Sequence, residues 1–173
     1  MIKTALLVLL NISLAFAVTE TRKTYYPDGV IRSAITYKDG KKNGAEHIFY
    51  RDGAIIHYSR NYVHGKLHGL QQEYDAHALL LKEESYDHGR LDGRSRYYRN
   101  GLLLREIEYR RGMLDGTYRE FTKNGVMKVE IIWKSGKVVR GYEYDENGRQ
   151  KAMPSRKLLS YESRMAGRQP KRE

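Results

Sequence analysis

Six histidines fall between His47 and His88, and His64 and His68 stand four residues apart, a spacing at which two imidazoles could share a metal ion. Arginines crowd residues 90–111, and Arg94, Arg96 and Arg99 sit in the run Arg94-Ser95-Arg96-Tyr97-Tyr98-Arg99. Guanidinium and phenol groups in alternation can stack on nucleic acid bases or anchor an acidic protein surface. The chain has no cysteine, no G-x-S-x-G turn and no phosphate-binding glycine loop, so these familiar nucleophiles and cradles are missing.

What positions those residues is a repeat. The phrase YDHGRLDG at Tyr86 to Gly93 is also written YKDGKKNG at Tyr37, YVHGKLHG at Tyr62, YRRGMLDG at Tyr109 and, more loosely, WKSGKVVRG at Trp133. Its inner glycines, Gly40, Gly65, Gly89, Gly112 and Gly136, recur at steps of 25, 24, 23 and 24 residues. A second series lies midway, at Gly29, Gly53, Gly101, Gly125 and Gly148, with His77 where the remaining glycine is expected. Asp-Gly and Asn-Gly supply the positive φ of tight reversals, so each glycine marks a turn.

This register reinterprets the histidines. His64 and His88 hold the slot of Asp39, Arg111 and Ser135, and His68 that of Asn43, Asp92 and Asp115, so all three read as exposed loop residues. Equivalent loops two strands apart are about 10 Å from one another, too far to share an ion, and no metal site is expected. The carboxylates mostly recur at the repeat period too, as turn or solvent-facing residues, so no catalytic site, cofactor or small-molecule ligand is expected and the chain reads as a non-enzyme.

Between reversals the side chains alternate with period two: Ile31, Ser33, Ile35 and Tyr37 oppose Arg32, Ala34 and Thr36, and Met127, Val129, Ile131 and Trp133 oppose Lys128, Glu130 and Ile132. Leu, Ile, Val and Phe are sparse while tyrosine occurs fifteen times, which suits a thin, half-solvated sheet. The expectation is all-β: an elongated single-layer antiparallel meander of five to six β-hairpin repeats of about 24 residues, filling 18–152. Tyr37, Tyr62, Tyr86, Tyr109 and Trp133 then form an aromatic row. Cross-strand packing accounts for such a row, and so does a contact surface, because a single layer leaves a face uncovered. The arginines likewise read either as a solvated face that discourages sheet pairing or as contacts to an acidic protein or anionic lipid.

The ends differ from the repeat. Residues 1–17 have a basic start, a short apolar run and Ala15-Phe16-Ala17, the pattern of a secretory signal cleaved after Ala17, which predicts export to the periplasm. Beyond Ala152 a basic tail spans 153–173: Ser155 to Met165 is a candidate capping helix with Leu158, Tyr161 and Met165 on one side, expected over the last strand edge, and AGRQPKRE is expected to be disordered. The formal charge of +11 favours anionic partners, and export sets nucleic acid aside.

The pattern aromatic-x-D/N-G, strand, Y-x-x-G-K/R-x-D/N-G at a period near 24 resembles the MORN-repeat variant of many bacterial proteins, including the YwqK-type antitoxins. The resemblance runs from about Tyr25 to Lys151 and departs at His77 and at Gly136 to Gly141, where the closing phrase lacks its acidic or Asn residue. It implies a binding or scaffold module, and the antitoxin label implies an immunity protein that neutralises a toxin. With the residues above, the expected contacts are Tyr37, Tyr62, Tyr86, Tyr109, Trp133, Arg94, Arg96 and Arg99. The alternative expectation is an envelope adaptor that lies on anionic headgroups.

Overall fold

Alternating side chains and glycine-marked reversals fold into one antiparallel sheet in the computed structural model, which describes residues 17–166. The expected signal segment up to residue 16 and the tail beyond Ala166 lie outside the described residues. The strands are β1 (Thr19–Tyr25), β2 (Ile31–Lys38), β3 (Lys41–Phe49), β4 (Ile56–Val63), β5 (Lys66–Leu67), β6 (Gly69–Tyr74), β7 (Leu80–Asp87), β8 (Arg90–Arg99), β9 (Leu102–Arg110), β10 (Met113–Phe121), β11 (Met127–Lys134), β12 (Lys137–Tyr144) and β13 (Gln150–Ala152). A helix, α1 (Ser155–Ala166), follows. Strands pair in chain order, except that β5 and β6 are one strand interrupted at His68, with β5 pairing β4 beside the main path. The meander is as expected, and at about 4.8 Å per strand it extends roughly 50 Å.

The recurring phrase has a structural cause in three parts. Its two turn residues, such as Asp39-Gly40 and Ser135-Gly136, both have positive φ, the mirror-image turn whose twist matches the flanking strands. The turn glycine then donates its N–H to a carbonyl of the preceding repeat: Gly65 to Lys42 at 2.8 Å, Gly89 to Leu67 at 2.7 Å, Gly112 to Leu91 at 2.7 Å and Gly136 to Leu114 at 2.8 Å. Finally, the closing glycines Gly44, Gly69, Gly93 and Gly116, all at positive φ, pair with Tyr62, Tyr86, Tyr109 and Trp133 of the next repeat, and a Cβ at Gly44, Gly93 or Gly116 would press on Thr36, Ser85 or Glu108 of the preceding strand. Each phrase thus fastens its hairpin to a neighbour.

Among the alternate reversals Asn100-Gly101 is again a two-residue turn with positive φ at both residues, and the others are longer and use another device. Gly29, Gly53, Gly125 and Gly148 donate to the carbonyls of Tyr26, Tyr50, Thr122 and Asp145. In the third repeat Ala78 makes this bond to Asp75 with φ of +61°, so Ala78, and not His77, stands in the glycine's place. The Asp75 carboxylate accepts the N–H groups of His77 and Leu79 at 2.8 and 2.9 Å, which supports a conformation that alanine alone disfavours.

The core is one-sided and lies toward the C-terminus. Leu91, Ile107, Tyr109, Leu114, Tyr118, Val129, Ile131 and Trp133 are buried together with Met153, Tyr161 and Met165, so α1 lies on the sheet face. This corrects the expectation that the helix covers the last strand edge. Instead β13 forms that edge by pairing with β12, and an amphipathic helix has apolar side chains to bury rather than backbone groups to lend a strand. Room for α1 is made at Gly141, where a Cβ would come within 2.8 Å of Leu158 and 3.2 Å of Ile131. At the other end β1 is exposed along its whole length.

Candidate functional site

Register places all five predicted aromatics on one face. Within their own hairpins Tyr37, Tyr62, Tyr86, Tyr109 and Trp133 pair with Lys42, Leu67, Leu91, Leu114 and Val138. Their surroundings divide the row. Tyr109 and Trp133 are 7% and 2% exposed in the core that α1 joins through Tyr161 and Met165, Tyr86 is half-buried and packs against the margin of that core, and Tyr37 and Tyr62 are half-buried beyond it.

The middle of that open half is charged where the covered half is apolar. Along one column of paired positions, Ile35, Glu46 and Arg60 occupy the first repeats, and Glu84, Ser95, Ile107, Tyr118 and Ile131 follow. Glu46 is 2% exposed and accepts hydrogen bonds from Lys42 at 2.6 Å, Tyr62 at 3.0 Å and Arg60 at 3.3 Å. Burial pushes its carboxyl up, but the bonds from Lys42, Tyr62 and Arg60 outweigh that and hold it below the ordinary carboxylate value. Glu84 accepts Tyr86 at 3.1 Å and Tyr97 at 3.0 Å, with Lys82 at 3.4 Å. Burial and then the Glu84 charge push both phenols upward, so they remain protonated donors.

Cations also cover the rings: Arg22 lies 4.5 Å from the Tyr37 centroid, Lys42 4.8 Å from Tyr62 and Arg60 4.2 Å from Tyr58. Tyr58, Arg60, Tyr62, Gln71, Glu84 and Tyr86 line a shallow cavity of about 160 Å³. This surface combines half-buried aromatics, held by carboxylates and capped by cations, with pairs of both signs between them. Such a surface can take up another macromolecule's side chains.

The predicted arginines are elsewhere. Arg96 bonds Glu83 at 2.8 Å and Glu106 at 2.7 Å, and Arg119 bonds Glu106 at 3.2 Å and Glu130 at 2.9 Å, forming an alternating ion ladder across β7 to β11 on the opposite face. Arg94 pairs with Glu108 at 3.3 Å on that face and is 57% exposed, and Arg99 is exposed at the end of β8. Period two therefore separates Arg94 and Arg96 from Ser95 and Tyr97, and the arginine-tyrosine run does not form one stacking surface.

Glu46, Arg60 and Glu84 are not among the residues that sequence patterns single out. A usable signal exists for the first: counting two residues past the closing glycine yields Glu46, Gln71, Ser95 and Tyr118, the buried inward position of the first four copies. The hairpin-turn rim of the sheet is also informative. Lys38, Lys41, Lys66, Arg90, Arg111 and Lys134 are exposed along it, one or two per repeat.

Among the histidines the structure groups His68 with Asp87 and His88, their ligand atoms within 4.8 Å of one another, and not His64 with His68. The separation of about 10 Å applies to equivalent slots. His68 and His88 occupy different slots of adjacent repeats, the same closing and turn slots that meet at Asn43 and His64 and at Asp92 and Arg111, and their rings lie 5.0 Å apart.

Comparison with known proteins supports the repeat. The family model of the MORN repeat variant matches residues 21–39 and 114–135. Comparison with curated proteins returns no match. One similar solved structure is the crystal structure of accessory secretory protein 1,2 and 3 in Streptococcus pneumoniae, at 13% identity and a TM-score of 0.29 over 65% of this chain. The match spans 19% of that longer chain.

Proposed function

We propose that this chain is an exported, non-catalytic binding module that holds another protein on the open half of its aromatic face, and that it serves as an immunity protein or antitoxin toward a toxin acting in the envelope. The observation that carries the reading is the division of the face: Tyr109 and Trp133 are buried in the core that α1 joins, while Tyr37 and Tyr62, with Tyr86 at the core's margin, stay half-buried around a charged centre. Aromatic and arginine side chains of this kind anchor interfaces, and the match of two segments to a MORN repeat variant is in keeping with a scaffold. The +11 charge favours an acidic partner and speeds its approach. Export and periplasmic location rest on the leader-like residues 1–17 alone.

The test is a pull-down from envelope and secreted fractions with the chain from Val18 as bait, repeated with Tyr37→Ala, Tyr62→Ala and Tyr86→Ala combined. One stoichiometric partner that survives physiological salt and is lost in the triple variant supports the reading, and no partner at any salt ends it. A second reading is favoured by the basic rim. Cations at a spacing of roughly 10 Å per repeat suit an anionic membrane surface, where each near-surface Lys or Arg contributes about 1 kcal/mol. Flotation with phosphatidylglycerol vesicles decides it: binding that disappears when Lys38, Lys41 and Lys66 become glutamine identifies a headgroup-binding adaptor, and no flotation removes this reading.

A further inference from the structure

The third turn of the basic rim departs from the repeat at Asp87, and the closing slot that faces it departs at His68. Where the other phrases have Lys38, Val63, Arg110 and Lys134, this one has Asp87; the next residue is His88, at the slot of Asp39, His64, Arg111 and Ser135; and the closing slot that faces it holds His68 in place of Asn43, Asp92 or Asp115. In neighbouring repeats that closing side chain caps the next turn, since Asn43 accepts the N–H of His64 at 3.1 Å and Asp92 that of Arg111 at 3.3 Å. A histidine at position 68 gives up this cap. Its Nδ1 lies 3.3 Å from Asp87 Oδ1, shielded from solvent and without a hydrogen bond. His88 Nδ1 lies 2.6 Å from the same Oδ1.

We propose that His68, Asp87 and His88 bind a divalent transition-metal ion of the zinc type. Two imidazoles and one carboxylate suit such an ion. Bonds of about 2.1 Å in tetrahedral array place donor atoms roughly 3.4 Å apart, so the 3.3 Å separation already fits and the 2.6 Å one must open by under an ångström. The side chains are 42%, 57% and 60% exposed, which leaves an entry path and room for solvent or a partner's donor to complete the coordination. His68 belongs to the second phrase and Asp87 and His88 to the third, so the ion cross-links adjacent hairpins at the point where Gly89 donates to Leu67. It also returns positive charge to an exposed carboxylate standing at a slot where Lys38, Arg110 and Lys134 carry cations in other repeats.

Neighbouring repeats supply the substitutions for the test. His68→Asn and His88→Ser install residues that the same slots hold elsewhere, so the variants should fold. Zinc chloride titrated into the chain from Val18 by calorimetry should bind one ion per chain with micromolar or tighter Kd and raise the Tm. Either variant should weaken binding at least tenfold and abolish the Tm rise, while His64→Asn, outside the cluster, should leave both unchanged. No binding at 0.1 mM zinc, or binding that His68→Asn and His88→Ser do not alter, overturns the assignment. The outcome is independent of whether a protein partner is found for the aromatic face.

Discussion

At the scale of single residues, a charged group can occupy the middle of a sheet only if it is fully paired. Glu46 shows how this is done, with three donors converging on one carboxylate. Replacing it with glutamine removes the charge that Lys42 and Arg60 face and should cost about 1–3 kcal/mol at pH 7 in urea denaturation. The pH dependence has a definite sign. A carboxyl held below its ordinary value adds stability that is complete above the unfolded value of about 4.3 and is lost as pH falls through the lower folded one. Between pH 6 and pH 3, Glu46→Gln should therefore lose less stability than the parent chain; equal acid slopes would show that Glu46 is not part of the linkage. Gly116 gives a second test, because its φ is +127° and a Cβ there would also lie 2.8 Å from Glu108 Cβ, whereas Gly40, with φ of +76°, would meet nothing within 4 Å. Gly116→Ala should cost about 1–3 kcal/mol from conformational strain, and more than Gly40→Ala, when Tm values are compared.

At the scale of elements, α1 decides which part of the face is core and which is available. Its Tyr161 packs edge-on against Tyr118 at 5.9 Å, and Met165 is buried beside it. Tyr161→Ala should destabilise by roughly 3 kcal/mol, the scale of deleting a buried aromatic. Trp133 is the chain's one tryptophan and is 2% exposed, so loosening of α1 can be read directly as a red shift of its fluorescence. An unshifted spectrum with unchanged stability would place α1 outside the core. The amphipathic residues of α1 are readable from Leu158, Tyr161 and Met165, but its destination is not. That choice depends on Gly141, whose missing side chain opens a seat that no local pattern around the helix announces.

At the scale of the molecule, each hairpin is stabilised by its neighbours through the turn-glycine bonds, and burial rises from an exposed β1 to a helix-covered β9 to β11. Repeat arrays of this type open from the less supported end. Hydrogen exchange should accordingly be fastest in β1 and β2 and slowest in β9, β10 and β11, with the open aromatic half between them. Uniform protection across the sheet would contradict this gradient. The intermediate stability suits a surface that adjusts side chains to a partner while its backbone ladder stays paired.

The amino-acid sequence by itself determined the meander, its period, the turn positions and the common face of Tyr37, Tyr62, Tyr86, Tyr109 and Trp133, because glycine-marked reversals and period-two alternation are local and repeat five times. Tertiary structure decided which of those aromatics remain available, since burial of Tyr109 and Trp133 depends on a helix far along the chain. It also paired Arg94 and Arg96 with carboxylates that lie ten or more residues away in sequence. And it joined His68 to His88, which a count of equivalent slots kept apart, because the closing slot of one repeat lies against the turn slot of the next.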